Sequence, residues 1–261
     1  MINQIKKYVP ELNYLKWLSF GFIITLLVVQ CDINDSTPSV KEENFKLIHK
    51  YDINVLEPSG LTFNSDFSAL WTVSDDRNHI YKLNLKGVVL NELNFTGNDL
   101  EGITYDNSNN TLWVVEEQLR EIINVNLDGN ELARKKINIS GSTNKGFEGI
   151  CLDTTGTVYL LNEKYPNLWI KLKSDFSVQQ KIEINDVGDL SGITYDKKHK
   201  VFWIVSDESQ LLFQWTPEKG IIKSFNLSIT KAEGVAYNIE LNRIYIVSDA
   251  TNQLFVYQLN D

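Results

Sequence analysis

The sequence is poor in cysteine, histidine and basic residues. It has two cysteines and three histidines among 261 residues, and its 25 Lys and Arg residues are outnumbered by 34 Asp and Glu residues, for a formal net charge of −9. Binding to nucleic acid requires clustered Lys and Arg to neutralise phosphates. We therefore exclude a nucleic-acid partner and expect cations or cationic partners instead.

Several catalytic motifs are also missing. The chain has no nucleophile elbow, no phosphate-binding loop and no paired-histidine zinc motif. The two cysteines are Cys31 and Cys151. Cys151 follows "EGI" within an apolar segment, and we interpret it as a small buried core residue and not as a reactive thiol. A disulfide framework is not expected, because Cys31 lies in a segment typical of export signals.

That N-terminal segment, residues 1–31, combines three lysines (Lys6, Lys7 and Lys16) with the apolar run "WLSFGFIITLLVV" and then Cys31. The ending "LVVQC" resembles a bacterial lipoprotein signal, which implies that Cys31 is lipidated. Two alternatives remain open: an uncleaved single-span membrane anchor and an ordinary apolar leader. All three place the rest of the chain on the extracytoplasmic face of the cell envelope.

Residues 32–43, "DINDSTPSVKEE", are polar and predict a flexible tether with an extended reach of roughly 40 Å. The remainder, residues 44–261, is long enough to bury a sizeable core as one domain, with 43% hydrophobic residues in the whole chain. We thus expect three regions: the signal or anchor, the tether and one globular domain.

A short phrase recurs through residues 44–261, as in "DLEGITYD", "GFEGICLD" and "KAEGVAYN". Successive glycines of this phrase are 42, 47, 43 and 42 residues apart; they are Gly60, Gly102, Gly149, Gly192 and Gly234. Each glycine opens one short strand, two further strands follow, and a more polar, alternating strand leads to the next unit. Four strands at this period predict a blade of a β-propeller.

The strand count also predicts how the ring closes. The fifth unit ends with its third strand, "QLFVYQLN", while an unassigned alternating strand, "FKLIHKYDI" (45–53), precedes the first unit. We expect this N-terminal strand to complete the last blade, which makes an all-β, five-bladed propeller of four-stranded blades. Five tryptophans are then interpreted as packing between blades: Trp71, Trp113, Trp169, Trp203 and Trp215.

A second feature recurs about fifteen residues after each glycine, where an acid ends the second strand. These acids are Asp75, Glu117, Glu163, Asp207 and Asp249. An acid at this place commonly hydrogen-bonds the backbone of the following turn, and we expect that structural role. The alternative is a second, rim site for a ligand.

The pattern "EGITYD…LWVVEEQLREIINVNLDG", repeated across the five units, resembles the SdiA-regulated (YjiK-like) domain family, a relative of the NHL-repeat propellers. The resemblance covers residues 44–261. It implies a five-bladed propeller with a bound calcium ion, without an assigned biochemical activity, and often with an N-terminal membrane segment.

In a propeller the first strand of each blade lines the central channel, so the residues before the five glycines form a ring at one mouth. Ser59, Glu101, Glu148, Ser191 and Glu233 make up this ring. The position is similar to the one that carries metal ligands in gluconolactonase-like and paraoxonase-like propellers. Three carboxylates roughly 6 Å apart would repel one another by about 8 kcal/mol in total at an effective dielectric constant near 20, which a divalent cation would relieve.

Two functions remain open on this basis. The first is a tethered module that binds calcium at its channel and a small molecule or protein partner. The second is a calcium-dependent hydrolase of small lactones or esters, which needs a general base near the metal. None of the histidines, His49, His79 and His199, is expected at the channel mouth. The mixed charge of the fourth strands indicates guarded blade edges and hence a monomer.

Overall fold

The computed structural model describes residues 44–140 and 145–260, which form twenty β-strands and no helix. The predicted signal or anchor segment (1–31) with Cys31, and the tether (32–43), lie outside the described residues. Within the described ranges there is accordingly no helix with the length and hydropathy needed to cross a bilayer. The expected all-β fold is confirmed.

The strands form five sheets of four. The first blade contains β2 (Pro58–Phe63), β3 (Leu70–Ser74), β4 (His79–Leu83) and β5 (Val89–Thr96). The second contains β6 (Leu100–Asp106), β7 (Thr111–Glu116), β8 (Glu121–Asn126) and β9 (Glu131–Lys136). The third contains β10 (Phe147–Leu152), β11 (Val158–Asn162), β12 (Leu168–Leu172) and β13 (Val178–Glu183).

The fourth blade contains β14 (Ile193–Asp196), β15 (Val201–Ser206), β16 (Leu211–Thr216) and β17 (Gly220–Asn226). The fifth contains β18 (Ala232–Asn238), β19 (Arg243–Ser248) and β20 (Gln253–Leu259), with β1 (Phe45–Asp52) as its outer strand. Every blade is an antiparallel meander, and neighbouring strands in the chain are neighbours in the sheet except where β1 joins β20. The five-bladed propeller is therefore confirmed.

The N-terminal strand closes the ring as expected. β1 runs antiparallel to β20, with Phe45 opposite Leu259 and Asp52 opposite Gln253. The Phe45 ring stacks on that of Tyr257, with centroids 4.2 Å apart. Since the two ends of the chain share one sheet, the closure depends on strand pairing and side-chain packing.

Burial falls from the second strand of each blade toward the outside. All residues of β3, β7, β11 and β15 are buried, whereas outer strands such as β9 are almost wholly exposed. Central strands are packed on both faces and hence are continuously apolar, while outer strands carry polar side chains that discourage edge pairing.

The core consists of five apolar clusters, each shared by two adjacent blades. For example, Trp71 of the first blade lies in one cluster with Leu100 and Ile103 of the second. The five predicted tryptophans are between 1% and 8% exposed and all belong to these clusters. The interpretation of these tryptophans as packing between blades is confirmed, as is the burial of Cys151, which is 3% exposed.

The closure can be tested by truncation. Deletion of residues 1–50 removes six of the eight residues of β1 and uncovers the edge of β20. The loss of about five backbone hydrogen bonds predicts destabilisation by roughly 5 kcal/mol, or about 10–20 °C in melting temperature. Deletion of residues 1–40 leaves β1 intact and should not change the melting temperature. Equal thermal unfolding of the two truncated proteins would contradict the closure.

Candidate functional site

A β-bulge lies at the recurring Glu-Gly position. In the second blade the pairing passes from Leu100 to Ile103 on β6, while β7 advances only from Glu116 to Val114. The same irregularity occurs in β2, β10 and β18. One extra residue in a strand bends it and redirects a side chain. The bulge thereby turns the residue before the glycine toward the channel mouth.

The mouth is a cavity of about 330 Å³ whose lining is entirely polar. Twelve of the seventeen lining residues are acidic, three are lysines and two are serines. The acids are Glu57, Asp75, Asp99, Glu101, Glu117, Glu148, Glu163, Asp189, Asp207, Glu208, Glu233 and Asp249. Such a lining favours cations over any apolar ligand.

All five residues predicted to form the ring line this cavity: Ser59, Glu101, Glu148, Ser191 and Glu233. The Ser59 hydroxyl donates a hydrogen bond to Oε2 of Glu101, at 2.5 Å. Ser59 and Ser191 are 4% and 5% exposed. The ring therefore presents three carboxylates and two nearly buried hydroxyls.

The acids that end the second strands line the same cavity. Our expectation that their side chains bond the backbone of the following turn was wrong. In the first and fourth blades the preceding serine does so instead: Ser74 and Ser206 accept the turn N–H groups of Arg77 and Ser209 at 2.9 and 3.2 Å. Glu117 instead accepts a hydrogen bond from the Gly146 N–H at 2.7 Å, across the blade boundary. The ring and the rim acids therefore form one site.

Sequence reasoning missed a third set of residues, three positions before the glycines. Glu57, Asp99, Asp189 and Lys231 occupy this position in four blades and line the cavity. In three of these blades the carbonyl at this position accepts the N–H of the rim acid, as from Asp75 to Glu57 at 3.0 Å. A charged residue recurring at this register was the signal that could have revealed them.

Lysines neutralise only one side of the cavity. Lys231 contacts Asp249 at 2.6 Å and Lys145 contacts Glu163 at 3.1 Å, and Lys164 pairs with Glu208. These pairs belong to the third, fourth and fifth blades. Within the described part of the chain, the cavity acids of the first and second blades form no ion pair with a basic side chain.

On that side, two groups of three carboxylates have oxygens within 4.8 Å of one another. One group is Asp75, Asp99 and Glu101, and the other is Glu101, Glu117 and Glu148. Glu101 belongs to both. The structure thus brings together two of the three ring glutamates with rim acids, while Glu233 belongs to neither group.

Burial and mutual repulsion raise the pKa of five carboxyl groups in the cavity: Asp75, Glu101, Glu117, Glu148 and Glu233. Burial, and then the charge of Asp99, raises the pKa of Asp75 to about 6. Burial raises the pKa of Glu117 to about 7 and that of Glu233 to about 8. Burial also raises the pKa of Glu101 and of Glu148 well above the ordinary value, and the charge of Asp75 adds to the effect on Glu101.

No described histidine lines the cavity, as expected. His79 interacts with Glu92 and with Thr96, and Nδ1 of His199 lies 2.6 Å from Asp196. The groups available for chemistry at this mouth are therefore carboxylates, serine hydroxyls and lysine ammonium groups.

Several solved structures of other proteins resemble this propeller. A glutaminyl cyclase from Myxococcus xanthus is 13% identical, with a TM-score of 0.67 over 83% of this chain and 96% of that one. A gluconolactonase from Xanthomonas campestris is 10% identical, with a TM-score of 0.57 over 83% and 95%. A chain in the structure of a nidogen–laminin complex is 16% identical, with a TM-score of 0.55 over 76% of this chain and 74% of that one. At these identities the likeness shows the fold alone, and it includes both enzymes and a binding protein.

A sequence search of curated proteins gave no significant match. The family profile described as SdiA-regulated, in contrast, matches residues 39–258, which is most of the chain and all but the last strand residue of the propeller. The chain therefore belongs to the SdiA-regulated family.

Proposed function

We propose that this protein is an extracytoplasmic propeller, tethered to a membrane through residues 1–43, that binds calcium at the acidic mouth and acts as a ligand- or partner-binding module. The observation that carries this proposal is the convergence of two carboxylate groups on the shared Glu101. The tether and its location follow from the sequence of the N-terminal segment.

The carboxylate cluster is costly without a cation. Raised pKa values at Glu101, Glu117 and Glu148 mean that burial and repulsion oppose ionisation of these groups. A divalent cation would offset that repulsion and allow all of them to ionise. Cation binding and folding are accordingly coupled.

The donor set fits calcium. Calcium takes six to eight oxygen ligands, largely carboxylates, in flexible geometry. Glu101, Glu117 and Glu148 would hold the ion, with Asp75 and Asp99 beside them, and the described lining of the cavity contains no cysteine or histidine that would favour a softer metal. When bound, the ion would supply a fixed positive charge able to orient an anionic or carbonyl-bearing ligand.

A second candidate function is hydrolysis of small lactones or esters. It is favoured by Asp75, whose pKa is raised to about 6 and whose side chain forms no hydrogen bond with a described residue. A carboxylate with these properties, in a cavity with room for substrate, suits a general base. Asp75 would take the proton of the attacking water.

Calcium should stabilise the protein through Glu101. A ligand at one hundred times its dissociation constant adds about 2.7 kcal/mol, or roughly 5–10 °C for a domain of this size. Glu101→Gln should abolish this calcium-induced rise in melting temperature. Glu233→Gln, at the same register of another blade but outside both carboxylate groups, should retain it. If Glu101→Gln still melts at a higher temperature with calcium, the ion is bound elsewhere. If Glu233→Gln loses this calcium-induced rise, all three ring glutamates predicted from the sequence bind the ion.

Stability should also depend on pH in a defined direction. The folded-state pKa values of Glu117 and Glu233, about 7 and about 8, lie above their ordinary value of 4.5. The unfolded chain ionises these groups above pH 4.5, so their contribution to stability is lost progressively as pH rises from about 4.5 through the folded-state pKa values of about 7 and 8. Chelator-treated protein should melt at a lower temperature at pH 8.5 than at pH 5.5, and added calcium should raise the melting temperature at pH 8.5 and so reduce the difference. A chelated protein that gains stability over this range would contradict the assignment.

The two candidate functions can be separated by an activity assay. If the protein is a binding module, calcium-loaded protein should hydrolyse a panel of small lactones and aryl esters no faster than its Asp75→Asn variant does. Turnover that is lost both with chelator and in Asp75→Asn would establish the hydrolase. The melting temperature of Asp75→Asn in calcium controls for damage to the site.

A further inference from the structure

A second cavity lies at the opposite end of the inner strands. It measures about 460 Å³ and shares no lining residue with the acidic mouth. Between the two, the five glycines and the residues after them surround a void of only about 10 Å³. The channel is therefore closed at the glycine ring, and the two ends of the propeller present chemically independent sites.

The floor of this second cavity carries hydroxyl groups. Thr62, Thr104 and Thr194 occupy the same register, two residues after the glycine, and Cys151 takes this place in the third blade. Thr104 is 7% exposed, yet its hydroxyl and that of Thr194 form no hydrogen bond with any described residue. Neither oxygen is among the fully buried polar atoms that lack a partner, so both hydroxyls are open to the cavity and available to a ligand.

The walls are aromatic. Phe63 and Phe67 pack edge to face with ring centroids 5.4 Å apart, and Tyr195 lies on the facing fourth blade. The Tyr195 ring is partly exposed, and its hydroxyl forms no hydrogen bond with a described residue, whereas that of Tyr105 donates to Asn110. Aromatic faces beside free hydroxyls suit a molecule that has both C–H faces and hydroxyl groups.

The cavity offers little free charge. The carboxylate of Asp153 is occupied by the N–H groups of Thr155 and Thr157, at 2.8 and 3.0 Å, and by the hydroxyl of Tyr159 at 2.8 Å. The ammonium of Lys197 lies at the entrance, 5.6 Å from the Phe67 ring. A charged ligand held at the threonine floor would lose its hydration there, since the two charged side chains of the lining, Asp153 and Lys197, are already engaged by these contacts.

We propose that this second cavity binds a neutral carbohydrate, with Thr104 and Thr194 bonding ring hydroxyls and Tyr195 stacking on the sugar face. A purely apolar ligand would leave the threonine hydroxyls unpaired. The cavity volume falls in the range typical of small-molecule sites. This site is independent of the calcium-binding function proposed for the opposite mouth.

The test uses the full-length protein and saturation-transfer NMR with glucose, galactose and N-acetylglucosamine. Glucuronate, glucosamine and benzyl alcohol serve as charged and aromatic comparators. We expect at least one neutral sugar to bind, and the double variant Thr104→Val/Thr194→Val to weaken it by about tenfold or more, because two hydrogen bonds are lost without a change in side-chain shape. Thr96→Val, an exposed threonine on β5, is the matched control and should bind normally.

The proposal would be overturned if no neutral sugar bound, or if glucuronate or glucosamine bound as tightly as the neutral sugar. It would also be overturned if benzyl alcohol displaced the sugar at equal concentration, or if the double variant bound the sugar with wild-type affinity. Glu101→Gln should bind the sugar as wild type does while losing its calcium response. Failure at one end of the propeller is thereby distinguishable from failure at the other. Thr104→Phe should fill the floor and abolish binding, with its melting temperature reporting that the fold is retained.

Discussion

The close approach of the five inner strands at the glycine ring constrains the rest of the structure. A Cβ atom at Gly192 would lie 2.2 Å from the carbonyl oxygen of Glu233, and one at Gly234 would lie 2.2 Å from that of Ser59. Each such glycine faces the backbone of the following blade, so any side chain here would force the blades apart. Blade spacing, the closed channel and the convergence of side chains at both ends all depend on this contact.

That contact has an electrostatic consequence. Because the strands meet so closely, the residues just before the glycines are crowded into one mouth, and three of them are glutamates. Burial and repulsion raise their pKa values and make the metal-free mouth a source of instability at neutral pH. A domain with a net stability of roughly 5–15 kcal/mol would tolerate this only with protons, lysines or a cation to offset it. Lysines do so on one side, whereas around Glu101 that role falls to protons or to the cation proposed above.

The same geometry separates the two ends of the channel. On one side of the glycine ring the inner strands present acids, and on the other they present threonines and aromatic rings. One strand register therefore produces two surfaces with different chemistry, since residues on either side of a glycine emerge at opposite faces of the propeller. A charged ligand suits the first surface and a neutral one suits the second.

The sequence by itself determined the architecture and much of the acidic site. The glycine period predicted five blades, the leftover strand at 45–53 predicted the closure, and the residues before the glycines were placed at one mouth. The second-strand acids were recognised as a recurring set, but the structure showed that they line the same mouth. Local repeats carry this information because each blade is built from consecutive strands, so spacing along the chain translates directly into position in the ring.

Only the tertiary structure decided which acids converge. The repeats make the five blades look equivalent in sequence. In the structure, however, the lysines at 145, 164 and 231 neutralise acids on one side of the cavity only. Glu101 lies close to Glu117 and Glu148, whereas Glu233 belongs to neither group of three carboxylates. The bulge at four of the five glycines and the hydrogen bond from Gly146 to Glu117 set these directions. Distances between side chains of different blades depend on bulges, rotamers and neighbouring charges, and none of these follows from a repeat length.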